Sequence, residues 1–167
     1  MRENLSVAAG GKLRTTSRIF LGRLYMFQYM PKMKDELPYY DRFPLVMPFS
    51  RSRAGFIGVN FHYLSFYQRA RLFNKLMNRV TDPTLTAAMT RMNVDWEALA
   101  RPKYREVRPA VKKYIRSNIM SKLIAVHPKE WAVSLFLPVS KFAKKRARGV
   151  WRESNISIRE TRQKHGI

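Results

Sequence analysis

A chain of 167 residues has the size of one domain and can bury a sizeable core. Hydrophobic residues make up 46% and aromatics 13%, which excludes wholesale disorder, and the absence of cysteine excludes disulfide scaffolds, zinc ribbons and thiol nucleophiles. The 33 Lys and Arg against 11 Asp and Glu leave a formal charge of +22, a field suited to a polyanion rather than to a neutral small-molecule substrate.

Charge is unevenly placed. Residues 101–167 hold 18 basic and 4 acidic residues, so a binding surface is sought there first. Residues 1–18, with Gly10, Gly11 and scattered Ser, Thr and Arg, lack a sustained period and are expected to form a flexible arm. A single basic α+β domain is expected over 19–152, followed by a polar tail, 153–167, that frays. The aromatic run Leu24–Tyr29, the proline-bounded Pro44–Phe49 and the stretch Phe56–Tyr63 predict three strands, forming a small antiparallel sheet or partial barrel over about 24–63. Ser65 stands where an N-cap belongs, and Phe66, Ala70, Phe73, Met77 and Val80 predict an amphipathic helix over 65–80. Pro83 and Pro102 bracket a mixed segment, 81–106. Pro109 fits the first turn of a second helix over 108–125, in which Val111, Ile115, Ile119 and Leu123 recur every four residues. Trp131–Leu137 is an apolar strand or short helix, and Ser140 is expected to cap a last helix over 140–148 that Gly149 stops. No apolar run approaches the roughly 20 residues of a membrane span, so no membrane partner is expected.

These elements carry repeated cations. Arg71, Lys75 and Arg79 stand at i, i+4 and i+8 of the first helix; Lys112, Lys113 and Arg116 form a patch on the second; Lys141, Lys144, Lys145 and Arg148 share a face of the last. One such stripe describes any solvated helix face, but like charges at this spacing repel, and three stripes together point to an anionic partner that removes the repulsion. These ten residues are the candidate phosphate contacts to a nucleic acid. Tyr39 and Tyr40, next to Pro38 in an expected surface turn, are the candidates for stacking on a base, against the alternative that they pack over the sheet.

Enzymatic chemistry finds little support. Asp35, Glu36 and Asp41 form the one local acidic group, too few for a two-metal nuclease site, and Asp41 is expected to support the turn before Pro44. His62, His127 and His165 are far apart and have no cysteine for a zinc site; His62 is expected to be a structural hydrogen-bonding group. There is no Walker-type run, so no nucleotide cofactor, metal or catalytic residue is assigned.

The segments Tyr25–Lys34, Leu37–Val46 and Gly55–Leu64, followed by Arg69–Leu72, Val111–Ile115, Glu130-Trp131 and Phe136-Leu137-Pro138, resemble a signature of the DNA end protector proteins of T-even-like tailed phages. The resemblance covers about residues 20–155, and departs at Ser65-Phe66-Tyr67, where members often carry prolines. It implies a minor head or neck virion protein that caps the ends of the packaged linear genome, guards them from host exonuclease after injection and contributes to head completion. It further implies portal or neck proteins as partners, and residence in the virion or, during assembly and after injection, in the host cytoplasm. It brings no catalytic residue. Charge alone equally allows a ribosomal-type RNA-binding protein, or a structural neck or baseplate protein whose positive face meets an acidic protein surface.

Overall fold

In the computed structural model, which describes residues 14–77 and 107–166, β-branched and aromatic runs form strands because they find apolar surface to cover. The described strands are β1 (Thr15–Thr16), β2 (Tyr25–Met26), β3 (Tyr40–Asp41), β4 (Leu45–Ser52), β5 (Gly55–Asn60), β6 (Val111–Ile115), β7 (Leu123–Ala125) and β8 (Phe142–Ala143). With them stand the helices α1 (Phe66–Met77), α2 (Trp131–Phe136) and α3 (Ala147–His165). Six strands form one antiparallel sheet in the order β1-β7-β2-β4-β5-β6, while β3 pairs with β8 in a small second sheet. The main sheet ends on β1 and β6, so the architecture is α+β as expected, open rather than closed into a barrel.

Alternation along the strands builds two cores. Leu24, Met26, Leu45, Met47 and Ile124 face one side, where Phe61, Leu72, Trp131, Val150 and Ile158 from the helical elements cover them. Tyr25, Phe27, Val46 and Leu123 face the other, packed with Tyr29, Phe56 and Tyr114. In this second cluster Phe27 meets Tyr29, Phe56 and Tyr114 edge to face, as Tyr29 meets Tyr114 with centroids 4.9 Å apart at 75°, while Phe56 and Tyr114 stack at 26°. Two glycines let the backbones close up on β5. A Cβ on Gly55 would fall 1.9 Å from the Tyr114 carbonyl oxygen, and one on Gly58 would fall 2.8 Å from that of Met47.

Several expected elements are realised differently. The predicted helix over 108–125 is instead β6, a 3-10 turn at Arg116–Asn118 and β7. A four-residue recurrence is also an even one, so Val111 and Ile115 satisfy a strand as well as a helix. β-Branched and aromatic residues together with an open edge on β5 favour the strand. The predicted helix over 140–148 is replaced by β8 and by Lys144 in the left-handed region at φ +67°, which no helix can pass through. Gly149 lies inside the first turn of α3 and does not stop it, and the tail expected to fray beyond 152 is helical to His165. What holds α3 is the buried row Val150, Ser154 and Ile158 at four-residue spacing. Part of the expected N-terminal arm is ordered as well, since Thr15–Thr16 pair with β7, while residues 1–13 lie outside the described residues. The segment 81–106 also lies outside them, as do positions 78–80 of the first predicted helix. Trp131–Phe136 resolves as helix, entered through a capping box between His127 and Glu130.

Candidate nucleic-acid interface

The site begins with a cation that faces inward. Arg69, buried on α1, donates from Nε to the Leu64 carbonyl at 2.8 Å, from Nη1 to Leu135 at 2.7 Å and from Nη2 to His62 at 3.4 Å. Its guanidinium lies 4.9 Å from the Phe66 ring centre and 5.4 Å from that of Trp151, so one side chain ties together α1, α2 and α3. Burial pulls its pKa down to about 10, and the charge on Asp41 works in the opposite sense. α3 is anchored to the same segment by Trp151 Nε1 donating to the His62 carbonyl and Ser154 Oγ donating to that of Tyr63. At the start of α1, Ser65 and Gln68 cap each other: the Gln68 N–H donates to Ser65 Oγ and the Ser65 N–H to Gln68 Oε1.

Beside this anchor, Asp41 accepts from His62 Nδ1 at 2.7 Å, from Asn60 Nδ2 at 3.1 Å and from the Phe43 N–H at 3.0 Å. Burial pushes the Asp41 carboxyl up, but the His62 charge and the hydrogen bonds from His62, Asn60 and Phe43 outweigh it and hold the carboxyl below its ordinary value. Asp41 therefore supports the turn before Pro44 and His62 is a structural hydrogen-bonding group, while Asp35 and Glu36 lie on the surface.

The ten candidate cations divide into two kinds. Arg71 on α1, Lys113 on β6, Arg116 in the turn after it, Lys141 before β8 and Arg148 on α3 are exposed, as is Lys144, whose ammonium is nonetheless held by backbone carbonyls; Lys75 is half-buried, and Arg79 lies outside the described residues. Lys112 points the other way from Lys113, as strand alternation demands, with its ammonium 4.2 Å from the Tyr63 ring centre and its pKa lowered by burial. Lys144 donates to the carbonyls of Lys34, Asp35 and Leu37 at 2.8, 2.9 and 2.9 Å. Lys145 pairs with Glu153 and lies 5.0 Å from the Tyr39 ring centre. Of the stacking candidates, Tyr39 is half-buried among Tyr63 and Phe142, and Tyr40 is half-buried in β3.

The largest outward array was not singled out from the sequence. Arg148, Arg152, Asn155, Arg159 and Arg162 follow one another at steps of four, three, four and three residues along one side of α3. At 1.5 Å per residue the row spans about 21 Å, close to six base-pair steps of duplex DNA. Ser65, Arg148, Trp151, Arg152, Asn155, Ile156 and Arg159 line its first half. Its second half joins α1 across a cleft of about 320 Å³, where Arg71 and Lys75 face Arg159 and Arg162 and none of the described lining residues is acidic. The signal in the sequence was the complementary spacing of Val150, Ser154 and Ile158, which defines a buried side and so places the arginines on another. A second basic surface lies at the β4–β5 hairpin tip, where Arg51, Arg53 and Arg116 surround a depression of about 280 Å³. It stands at the far end of β5 from the turn on which α3 packs.

Neither curated proteins nor solved structures give a match to the chain. A family profile described as phage T4 terminal DNA protecting protein does match, over residues 6–154, which takes in the sheet, the Arg69 anchor and the first turns of α3. On that coverage the chain belongs to the phage T4 terminal DNA protecting protein family.

Proposed function

We propose that the protein binds duplex DNA through phosphate contacts along α3 and α1, and that it does so at the ends of a linear phage genome, shielding them from exonuclease. The observation that carries the phosphate contacts is the exposed row Arg148, Arg152 and Arg159, joined by Arg71 and the half-buried Lys75, beside a cleft with no acidic side chain among its described lining residues. The family supplies the DNA ends. The family's description is one of DNA protection, and on this reading the protein acts by occupying the end, without a catalytic step or a cofactor. We place it in the virion head or neck, in contact with portal or neck proteins, where it contributes to head completion; it is in the host cytoplasm during assembly and after injection.

Phosphate contacts release counterions, so affinity should fall steeply with salt. With about five phosphates neutralised, the slope of log K against log salt should be near −4.5. The deciding experiment adds purified protein to linear duplex and follows digestion by an exonuclease at one complex per end, with structured RNA as competitor. Full protection at that stoichiometry is the expected result. A flat salt response, preference for the RNA, or slowing only when the whole duplex is coated would overturn the reading.

A further inference from the structure

Phosphate contacts carry no information about ends, because every phosphate along a duplex is alike. An end differs from the interior by a base whose face is uncovered and whose partner strand can fray. The cleft between α1 and α3 has the parts that such a nucleotide needs. Its floor is apolar, formed by Leu64, Leu72, Val107 and Ile158. Gln68 and Asn155 join across it by an amide hydrogen bond. At about 320 Å³ it suits one nucleotide and is far too small for a duplex.

Tyr67 stands at this cleft, one helical turn before Arg71. It is 71% exposed, the most exposed large hydrophobic side chain among the described residues. Other described tyrosines are buried or half-buried, whereas Tyr67 is exposed and has the Arg71 guanidinium beside it, 5.8 Å from the ring centre. An aromatic ring left in water next to four cations is the combination that binds single-stranded nucleic acid: the ring takes the base and the cations take the phosphate.

We propose that this cleft receives the unpaired terminal nucleotide of a DNA strand, with Tyr67 stacking on its base and Arg71, Lys75, Arg159 and Arg162 around its phosphate. The inference rests on the DNA-binding reading above and names the part that tells an end from the interior. Closed-end DNA lacks a strand terminus and cannot fill the cleft, so it binds through the α3 row alone.

The test is competition between an open linear duplex and one of equal length with covalently closed ends, for the native chain, Tyr67→Ala and Tyr67→Phe. Native protein should prefer open ends by about tenfold, the scale of one stacked base. Tyr67→Ala should lose that preference while its affinity for closed-end DNA changes less than twofold. Tyr67→Phe, which keeps the ring, should retain it. Tyr67 is at the surface, so the substitutions leave the core untouched. If native protein binds both DNAs equally, or Tyr67→Ala keeps the preference, the cleft assignment is wrong while DNA binding stands. If native protein binds neither, both readings fall.

Discussion

Two cation-rich regions adjoin in the sequence and are used in opposite ways. In the first, 141–145, Lys144 is spent on three backbone carbonyls and Lys145 on Glu153 and the Tyr39 ring, so these lysines fasten the turn at 34–37 and β8 to the fold. In the second, 148–159, Arg148, Arg152 and Arg159 lie along a helix whose other side is buried, and they meet solvent in a row. The difference teaches that a count of positive residues is not a count of available charge. What separates the two is the path of the backbone: an irregular segment brings an ammonium back against carbonyls, whereas a helix anchored on one side projects its remaining side chains outward.

The largest effect should come from the innermost cation. Arg69→Met removes the charged donor to the carbonyls of His62, Leu64 and Leu135 and leaves buried acceptors short of a partner, so unfolding free energy should drop by about 3–5 kcal/mol. Urea denaturation measures it; a loss below about 1 kcal/mol would mean that the guanidinium does not hold the helices together.

Acid should act on the same interior. Asp41 has a lower pKa folded than unfolded, so the unfolded chain gains its proton first as pH falls. The stabilisation from Asp41 is therefore complete above the unfolded value of about 4 and is lost as pH falls through the folded value. In Asp41→Asn the chain should be less stable at neutral pH by about 2 kcal/mol or more, and its stability should depend less on pH between about 5 and 3. An unchanged acid limb would remove Asp41 from this account.

The outward and inward cations can then be set against each other directly. Replacing Arg148, Arg152 and Arg159 by Gln should reduce the salt slope by about 2.7 and lower DNA affinity on the order of 100-fold near 0.15 M salt. Lys144→Met should instead leave the slope unchanged to within about 0.3, less than the roughly 0.9 of one phosphate contact, and lower stability by about 1–2 kcal/mol, because carbonyls lose a charged donor. If the lysine variant changes the slope more than the arginine triple, the two regions have been assigned the wrong way round.

Local pattern determined a good deal of this protein. β2, β4, β5 and the helix from Ser65 onward follow from aromatic runs, prolines and an N-cap, signals that act within a few residues, whereas Tyr40–Asp41, expected as a surface turn, is a strand paired with β8, and Phe61–Tyr63, expected as strand, is a 3-10 turn. The excess positive charge and its weight toward the C-terminal third likewise follow from composition. Only the tertiary structure decided that Val111–Ile115 is a strand, because a four-residue recurrence fits both periods until an edge such as β5 is there to pair with. It also decided which charges face out. Whether Lys144 meets an anion or the carbonyls at 34–37 depends on segments about 110 residues apart in the chain, as does the burial of Arg69 against Leu135 across 66. Charge is written into each residue, but its availability is a property of what the fold brings within hydrogen-bonding distance.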